Sequence, residues 1–185
     1  MRQTRGWDPS VCCERRDGRL SRDPRPSSAD QLTPVPAASA VGVALHVAVQ
    51  LVDAYARCVD RHDTPGQLAP LTEDADFVVY AESGNALPTK RIRGQVALAP
   101  SCDQVNACQA SVHMNGQSIT RVDGGRAWGV TYCLDYQVKD DGGAPSLVVT
   151  AVRYLDSFVK REGRWLIRQR QVMVAWTETR PLAGR

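Results

Sequence analysis

The sequence is short of the residues that most reaction classes depend on. It has three histidines, His46, His62 and His113, and no two of them stand at a metal-ligand spacing. Its six cysteines, Cys12, Cys13, Cys58, Cys102, Cys108 and Cys133, form no C-x-x-C, which removes the usual zinc and redox motifs. No G-x-S-x-G, G-x-G-x-x-G or Walker loop occurs, so acyl-enzyme, dinucleotide and nucleotide chemistry lack their frame. No apolar run approaches the roughly eighteen residues of a membrane span, and no apolar segment of the signal-peptide kind follows Met1. The expectation is a soluble, cytoplasmic protein with reduced thiols, no metal, no cofactor and no membrane contact.

A surplus of one charge is also missing. The net charge is +3, and residues 1–40 hold seven Arg against five acids. The remaining chain, with 16 basic and 15 acidic residues, is close to neutral, and its bases are scattered. Nothing resembles the basic stripe that follows a phosphate backbone, so nucleic acid is not an expected partner.

What is present suits one domain. The chain has 185 residues, 43% of them apolar and 23% charged. Residues 1–39 are rich in Arg, Asp, Ser and Pro and carry no apolar period, so they predict a disordered tail. The domain is expected over residues 40–180, with a short C-terminal tail at 181–185.

From Val41 a helical period begins. With about 100° between successive residues, Leu45, Ala48, Val49, Val52, Tyr55, Ala56 and Val59 share one stripe, predicting a helix to about Arg61. Thr64-Pro65 predicts a second, short helix with Thr64 as its N-cap. Strands are expected at Ala75–Tyr80 and Lys90–Arg93, then a helix at Gln95–Asn106 interrupted by Pro100. Four long strands close the chain, at Ala110–Arg121, Arg126–Lys139, Ser146–Arg161 and Arg164–Trp176, separated by Gly-rich turns. Helices gathered early and a meander at the end specify α+β: a strongly curved antiparallel sheet, cone-shaped, wrapped on the first helix.

Particular stretches within that order resemble the SnoaL-like branch of the nuclear-transport-factor-2-like superfamily. They are LVDAYARCVDRHDTPGQLAPLTEDADFVVY at 51–80, RIRG at 91–94, SVHMNGQSI at 111–119 and GRAWGVTYCLDY at 125–136. The closing stretch RYLDSFVKREGRWLIRQRQVMVAW, at 153–176, adds Tyr-x-Asp, Gly-x-Trp and Trp-x-Ile-x-x-Arg elements. The superfamily spans dehydratases, isomerases, cyclases, epoxide hydrolases, hydroxylase-like proteins and binders, so the likeness implies a fold more sharply than a reaction.

The polar pattern is similar to that of scytalone dehydratase and bile-acid 7α-dehydratase. The resemblance implies Tyr55 and Asp60 on the first helix, Tyr80 on the next strand, His113 on the first long strand, Asp135 beside it and Arg170 on the last. Where scytalone dehydratase has a second histidine, this strand offers Gln137 or a nearby residue. The implied function is cofactor-independent acid–base chemistry on a hydroxylated polycyclic, polyketide-like or steroid-like molecule: dehydration, isomerisation or cyclisation. A non-catalytic binding or dimerisation module, and an oxygenase-type or epoxide-hydrolase activity, stand as alternatives. A homodimer is implied as well.

The residues themselves leave choices open. Asp60 places a carboxylate at the negative end of a helix, against the macrodipole, roughly 20° past Val49 at the stripe's edge. It is a functional carboxylate, the partner of a nearby Arg, or a turn contact within Asp-Arg-His-Asp. His113 alternates with Asn115 and Gln117 on a polar face, and is a base oriented by Asp60 or a satisfied structural histidine. Asp135 shares its face with the small residues Ala127, Gly129, Thr131 and Cys133, which would leave room for a ligand. It either lines that space or pairs with Arg153, Arg168 or Arg170. Tyr55 and Tyr80 either donate to a substrate oxygen or pack.

Overall fold

The computed structural model describes residues 40–81, 87–140 and 142–182. The expected tail at 1–39 lies outside the described residues. The chain forms α1 (Ala40–Asp60), α2 (Thr64–Leu68), β1 (Leu71–Tyr80), β2 (Lys90–Arg93), α3 (Gln95–Val105), β3 (Ala110–Asp123), β4 (Arg126–Lys139), β5 (Ser146–Arg161) and β6 (Arg164–Pro181). β6 is five residues longer than the sequence predicts. It pairs with β5 to its last residue, and Leu182 N–H donates to the Pro145 carbonyl at 2.8 Å, so the domain includes residues assigned to a tail.

The α1 stripe is as the period predicts. Ala48, Val52, Tyr55, Ala56 and Val59 are buried, while Asp53 and Arg57 are exposed. The helix stops through paired bonds, His62 N–H to the Val59 carbonyl and Asp63 N–H to the Cys58 carbonyl, both 2.9 Å. This is the Schellman arrangement, and it puts His62 in the left-handed region, with φ of 56°. It fixes Asp60 as the last helical residue.

The next start differs from the sequence expectation. Asp63, not Thr64, is the N-cap of α2, its carboxylate accepting from Gly66 N–H at 2.9 Å. Both residue types cap well, and the Schellman turn, with His62 left-handed, leaves Asp63 as the residue that opens α2. α3 runs unbroken over 11 residues with Pro100 inside it.

The six strands form one sheet in the order β2-β1-β6-β5-β4-β3. Neighbours are antiparallel except β1 and β6, which run parallel. β3 to β6 make the hairpin meander expected from the Gly-rich turns. Register divides the sheet into two faces. Ala127, Cys133, Val152, Tyr154, Phe158 and Ile167 point inward to the core beneath α1. On the outer face, Val112, Met114, Ile119, Trp128, Tyr132 and Trp176 are exposed.

By length and hydropathy, α1 is the one described helix apolar enough to cross a membrane, over residues 42–60. The sequence reading saw no such run, because Asp53, Arg57 and Asp60 interrupt it. Its apolar stripe packs against the sheet.

Candidate active site

The Schellman turn aims Asp60 at the start of β3. There its carboxylate accepts four hydrogen bonds. His113 Nδ1 lies 2.7 Å from Oδ1, and His113 N–H lies 3.1 and 3.0 Å from the two oxygens. Ser111 Oγ–H adds a bond of 3.3 Å to Oδ1. These donors offset the unfavourable position of a carboxylate at a helix C-terminus. Because a carboxylate only accepts, the neutral imidazole donates from Nδ1 and leaves Nε2 with its lone pair.

That lone pair faces Asp135. His113 and Asp135 are cross-strand partners on β3 and β4, and Nε2 stands 3.7 Å from Asp135 Oδ1. This exceeds hydrogen-bond length. Asp135 Oδ2 accepts from Gln137 Nε2 at 2.8 Å, whereas Oδ1 is buried with no hydrogen-bond partner among the described residues. Burial pushes the Asp135 carboxyl above the usual carboxylate range, and Asp60 adds to this. His113 and Gln137 pull the other way without reversing it. The His113 side chain is only 5% exposed and that of Asp135 15%, so the pair is shielded from bulk water.

Farther along the inner face lies a second cluster. Arg170, 0% exposed, makes a bidentate pair with Asp156, at 2.9 Å from Nε and 2.7 Å from Nη2. Its guanidinium lies between the Tyr55 and Tyr154 rings, 4.4 Å from each centroid. Nη1 is left without a hydrogen bond among the described residues. Burial pushes the Tyr55 and Tyr154 phenols above their ordinary values, so each can serve as a donor but not as a base. The buried Cys133 thiol is raised to about 11 by burial and is a poor nucleophile.

Of the six candidate residues, the structure brings Asp60, His113 and Asp135 together. Tyr55 and Arg170 join each other rather than the imidazole. Tyr80 does not belong with them. It pairs with Met173, Met173 with Arg153 and Arg153 with Tyr132, a row on the outer face. Phe77 faces inward toward the core, so strand alternation turns Tyr80 outward. The open choice for Asp135 also resolves: its partners are Gln137 and His113, and Arg170 goes to Asp156. An Asp135–Arg170 working pair, as the oxygenase-type or epoxide-hydrolase reading requires, is not formed.

The space expected beside the small residues is partly filled. A Cβ on Gly129 would lie 3.0 Å from Thr120 Oγ1 and 3.4 Å from the Phe158 ring, so glycine there admits those side chains rather than a ligand. Two surface cavities are found, neither of them lined by His113. One of about 190 Å³ is lined by Asp74, Asp76, Arg91, Arg93, Arg168 and Gln169. The other, about 330 Å³, is an apolar groove along Val112, Met114, Tyr136, Val138 and Leu147. Among the described residues no cluster of three metal-ligating side chains occurs.

Solved structures with this architecture are numerous. A protein classed as a scytalone dehydratase from Novosphingobium aromaticivorans is 18% identical, with a TM-score of 0.64 over 77% of this chain and 90% of that one. The hexachlorocyclohexane dehydrochlorinase LinA-type3 of Novosphingobium barchaimii is 16% identical, with a TM-score of 0.61 over 77% and 92%. The β subunit of a protein classed as an aromatic-ring-hydroxylating dioxygenase, also from N. aromaticivorans, is 19% identical, with a TM-score of 0.61 over 72% and 90%. No curated protein matches by sequence. The pattern of the SnoaL-like domain matches residues 47–171, and with the curved sheet and its helices in place the chain belongs to the SnoaL-like domain family.

Proposed function

We propose that the protein is a cofactor-independent acid–base enzyme acting on a hydroxylated polycyclic, polyketide-like or steroid-like small molecule. His113 removes a proton from carbon next to a carbonyl, and the enolate so formed collapses by dehydration, isomerisation or cyclisation. The observation that carries this reading is the Asp60–His113 pair, 2.7 Å long, which holds the imidazole in the tautomer whose Nε2 accepts a proton. Tyr55 and Arg170 Nη1 supply buried donors on the same sheet face for substrate oxygens. The similar dehydratase and dehydrochlorinase folds are consistent with eliminations of this kind.

The test is exchange of α-protons with solvent deuterium in hydroxylated polycyclic ketones. His113→Gln is expected to slow it by about a hundredfold or more, the scale of a lost acid–base group. Exchange that persists in the variant at the parent rate removes His113 from the reaction.

We also propose a homodimer through the outer sheet face. Six large apolar side chains, from Tyr132 at 46% to Ile119 at 70% exposed, share that face with the apolar groove. A patch of this kind exceeds what lone surface residues explain. Sedimentation velocity should show a dimer at micromolar concentration and a monomer for Trp128→Glu combined with Met114→Glu. A parent that sediments as a monomer throughout rejects the interface.

A further inference from the structure

We infer that Asp135 is the general acid of the site and that the leaving group it serves is a hydroxyl, making the reaction a dehydration rather than a halide elimination. The inference rests on the acid–base reading above and adds a second proton-carrying group with its own task. Three observations converge on it. Nε2 of His113 and Oδ1 of Asp135 stand 3.7 Å apart, too far to satisfy each other and close enough to address neighbouring atoms of one substrate. Oδ1 is the buried oxygen without a partner, while Gln137 occupies Oδ2. A carboxylic acid held this way accepts at Oδ2 and donates at Oδ1.

Burial, more than any neighbouring group, favours the protonated form of Asp135. Asp60 from α1 adds negative charge, and burial disfavours a second carboxylate. His113 from β3 and Lys139 on its own strand oppose this, and the carboxyl still lies above the usual range. Two carboxylates flank one imidazole: Asp60 orients it, and Asp135, with its unpartnered Oδ1, is the one placed to deliver a proton.

The step balances without a co-reactant. Nε2 takes the proton from the α-carbon, and that C–H pair becomes the new C=C bond. The C–O bond to the β-hydroxyl breaks with its electron pair, and the departing oxygen receives the Asp135 Oδ1 proton and leaves as water. His113 is then imidazolium and Asp135 carboxylate. The released water, lying between them, returns the Nε2 proton to Oδ1 and restores both groups. A halide leaves as a stable anion and has no use for such a proton, which separates this site chemically from a dehydrohalogenation.

The test compares β-hydroxytetralone with β-chlorotetralone, following naphthol formation and α-deuterium exchange. Asp135→Asn keeps the shape and the Gln137 neighbourhood. It is expected to slow loss of water by about a hundredfold or more beyond whatever it does to exchange and chloride loss. His113→Gln should slow all three. If Asp135→Asn slows the three alike, or none, the inference falls and the acid–base reading survives. If the parent exchanges no α-proton of the hydroxy ketone, both fall. Two readouts need no turnover. An infrared carboxylic C=O band at neutral pH should be present in the parent and absent from Asp135→Asn; without it the inference is overturned. Stability gives the same sign. A folded-state value raised above the unfolded one contributes stability below about pH 4 and loses it as pH rises through the folded value. Asp135→Asn should therefore melt higher than the parent at neutral pH, with the gap closing toward pH 4; an equal melting temperature at neutral pH overturns the inference.

Discussion

Asp156→Asn is expected to destabilise the domain by about 3–5 kcal/mol, the scale of breaking a buried ion pair from one side. The cause is what remains. The Arg170 guanidinium is 0% exposed and already has one nitrogen without a hydrogen bond, so no solvent stands ready to replace the lost charge. The two tyrosine rings at 4.4 Å recover part of the loss, since a desolvated cation–π contact contributes on the order of 2 kcal/mol. They do not recover all of it, because a ring face offers no acceptor for Nε or Nη2. Replacing both members, Arg170→Met with Asp156→Leu, should lie within about 1 kcal/mol of the parent or exceed it, because apolar side chains of like volume carry no desolvation cost. Urea unfolding with tryptophan fluorescence checks both variants. A loss under about 1 kcal/mol in Asp156→Asn would mean that the tyrosine sandwich alone holds the cation.

That pair also shows where the sequence stops being legible. The element order is readable because each segment carries its own period, 3.6 in α1 and 2 in the meander. Asp60 is readable because it breaks a rule, a carboxylate at a helix C-terminus beside the apolar stripe. His113 follows from it as the histidine on a strand. Asp156 is marked in sequence only by the Tyr-x-Asp element, which gives no partner. Its partner depends on the register of β5 against β6, and that register shifts between Ser157 and Phe158. An irregularity of one residue turns every later side chain to the other face, and nothing local in the sequence announces it. Arg170 therefore stands in the sequence among the candidate partners of Asp135, whereas the shifted register delivers it to Asp156.

Tyr80 fails for a related reason. In Asp76–Tyr80 both alternating sets are apolar, Phe77 with Val79 and Val78 with Tyr80, so hydrophobicity does not choose the inner face. The choice comes from tertiary contacts, Phe77 and Ile92 against the core, and it sends Tyr80 outward. The small residues of β4 mislead differently. They suggest a ligand's space, but close packing fills any gap that a neighbouring strand can reach, and at Gly129 Phe158 reaches it. His113 and Asp135 lie at the other end of β4.

Asp60→Asn should lower turnover by about 10²–10⁴, with little change in the fold. The amide keeps an oxygen, and His113 N–H and Ser111 Oγ–H can still donate to it. What it removes is the second acceptor and the charge, and with them the preference of the imidazole for donating from Nδ1. If the Asn amide N–H turns toward Nδ1, the ring places its proton on Nε2, and the nitrogen facing Asp135 can no longer accept one from substrate. A wrong tautomer is costly because every collision then meets a donor where a base is needed. The two side chains act as one unit, so their losses should not add: Asp60→Asn with His113→Gln is expected to be no slower than His113→Gln alone, within about threefold. The measurement is α-deuterium exchange for the parent, both single variants and the double variant, with far-ultraviolet circular dichroism to confirm that each is folded. Losses that multiply in the double variant would show that Asp60 and His113 contribute separately, and the 2.7 Å bond would then be a structural contact at the end of α1 rather than the orientation of a base.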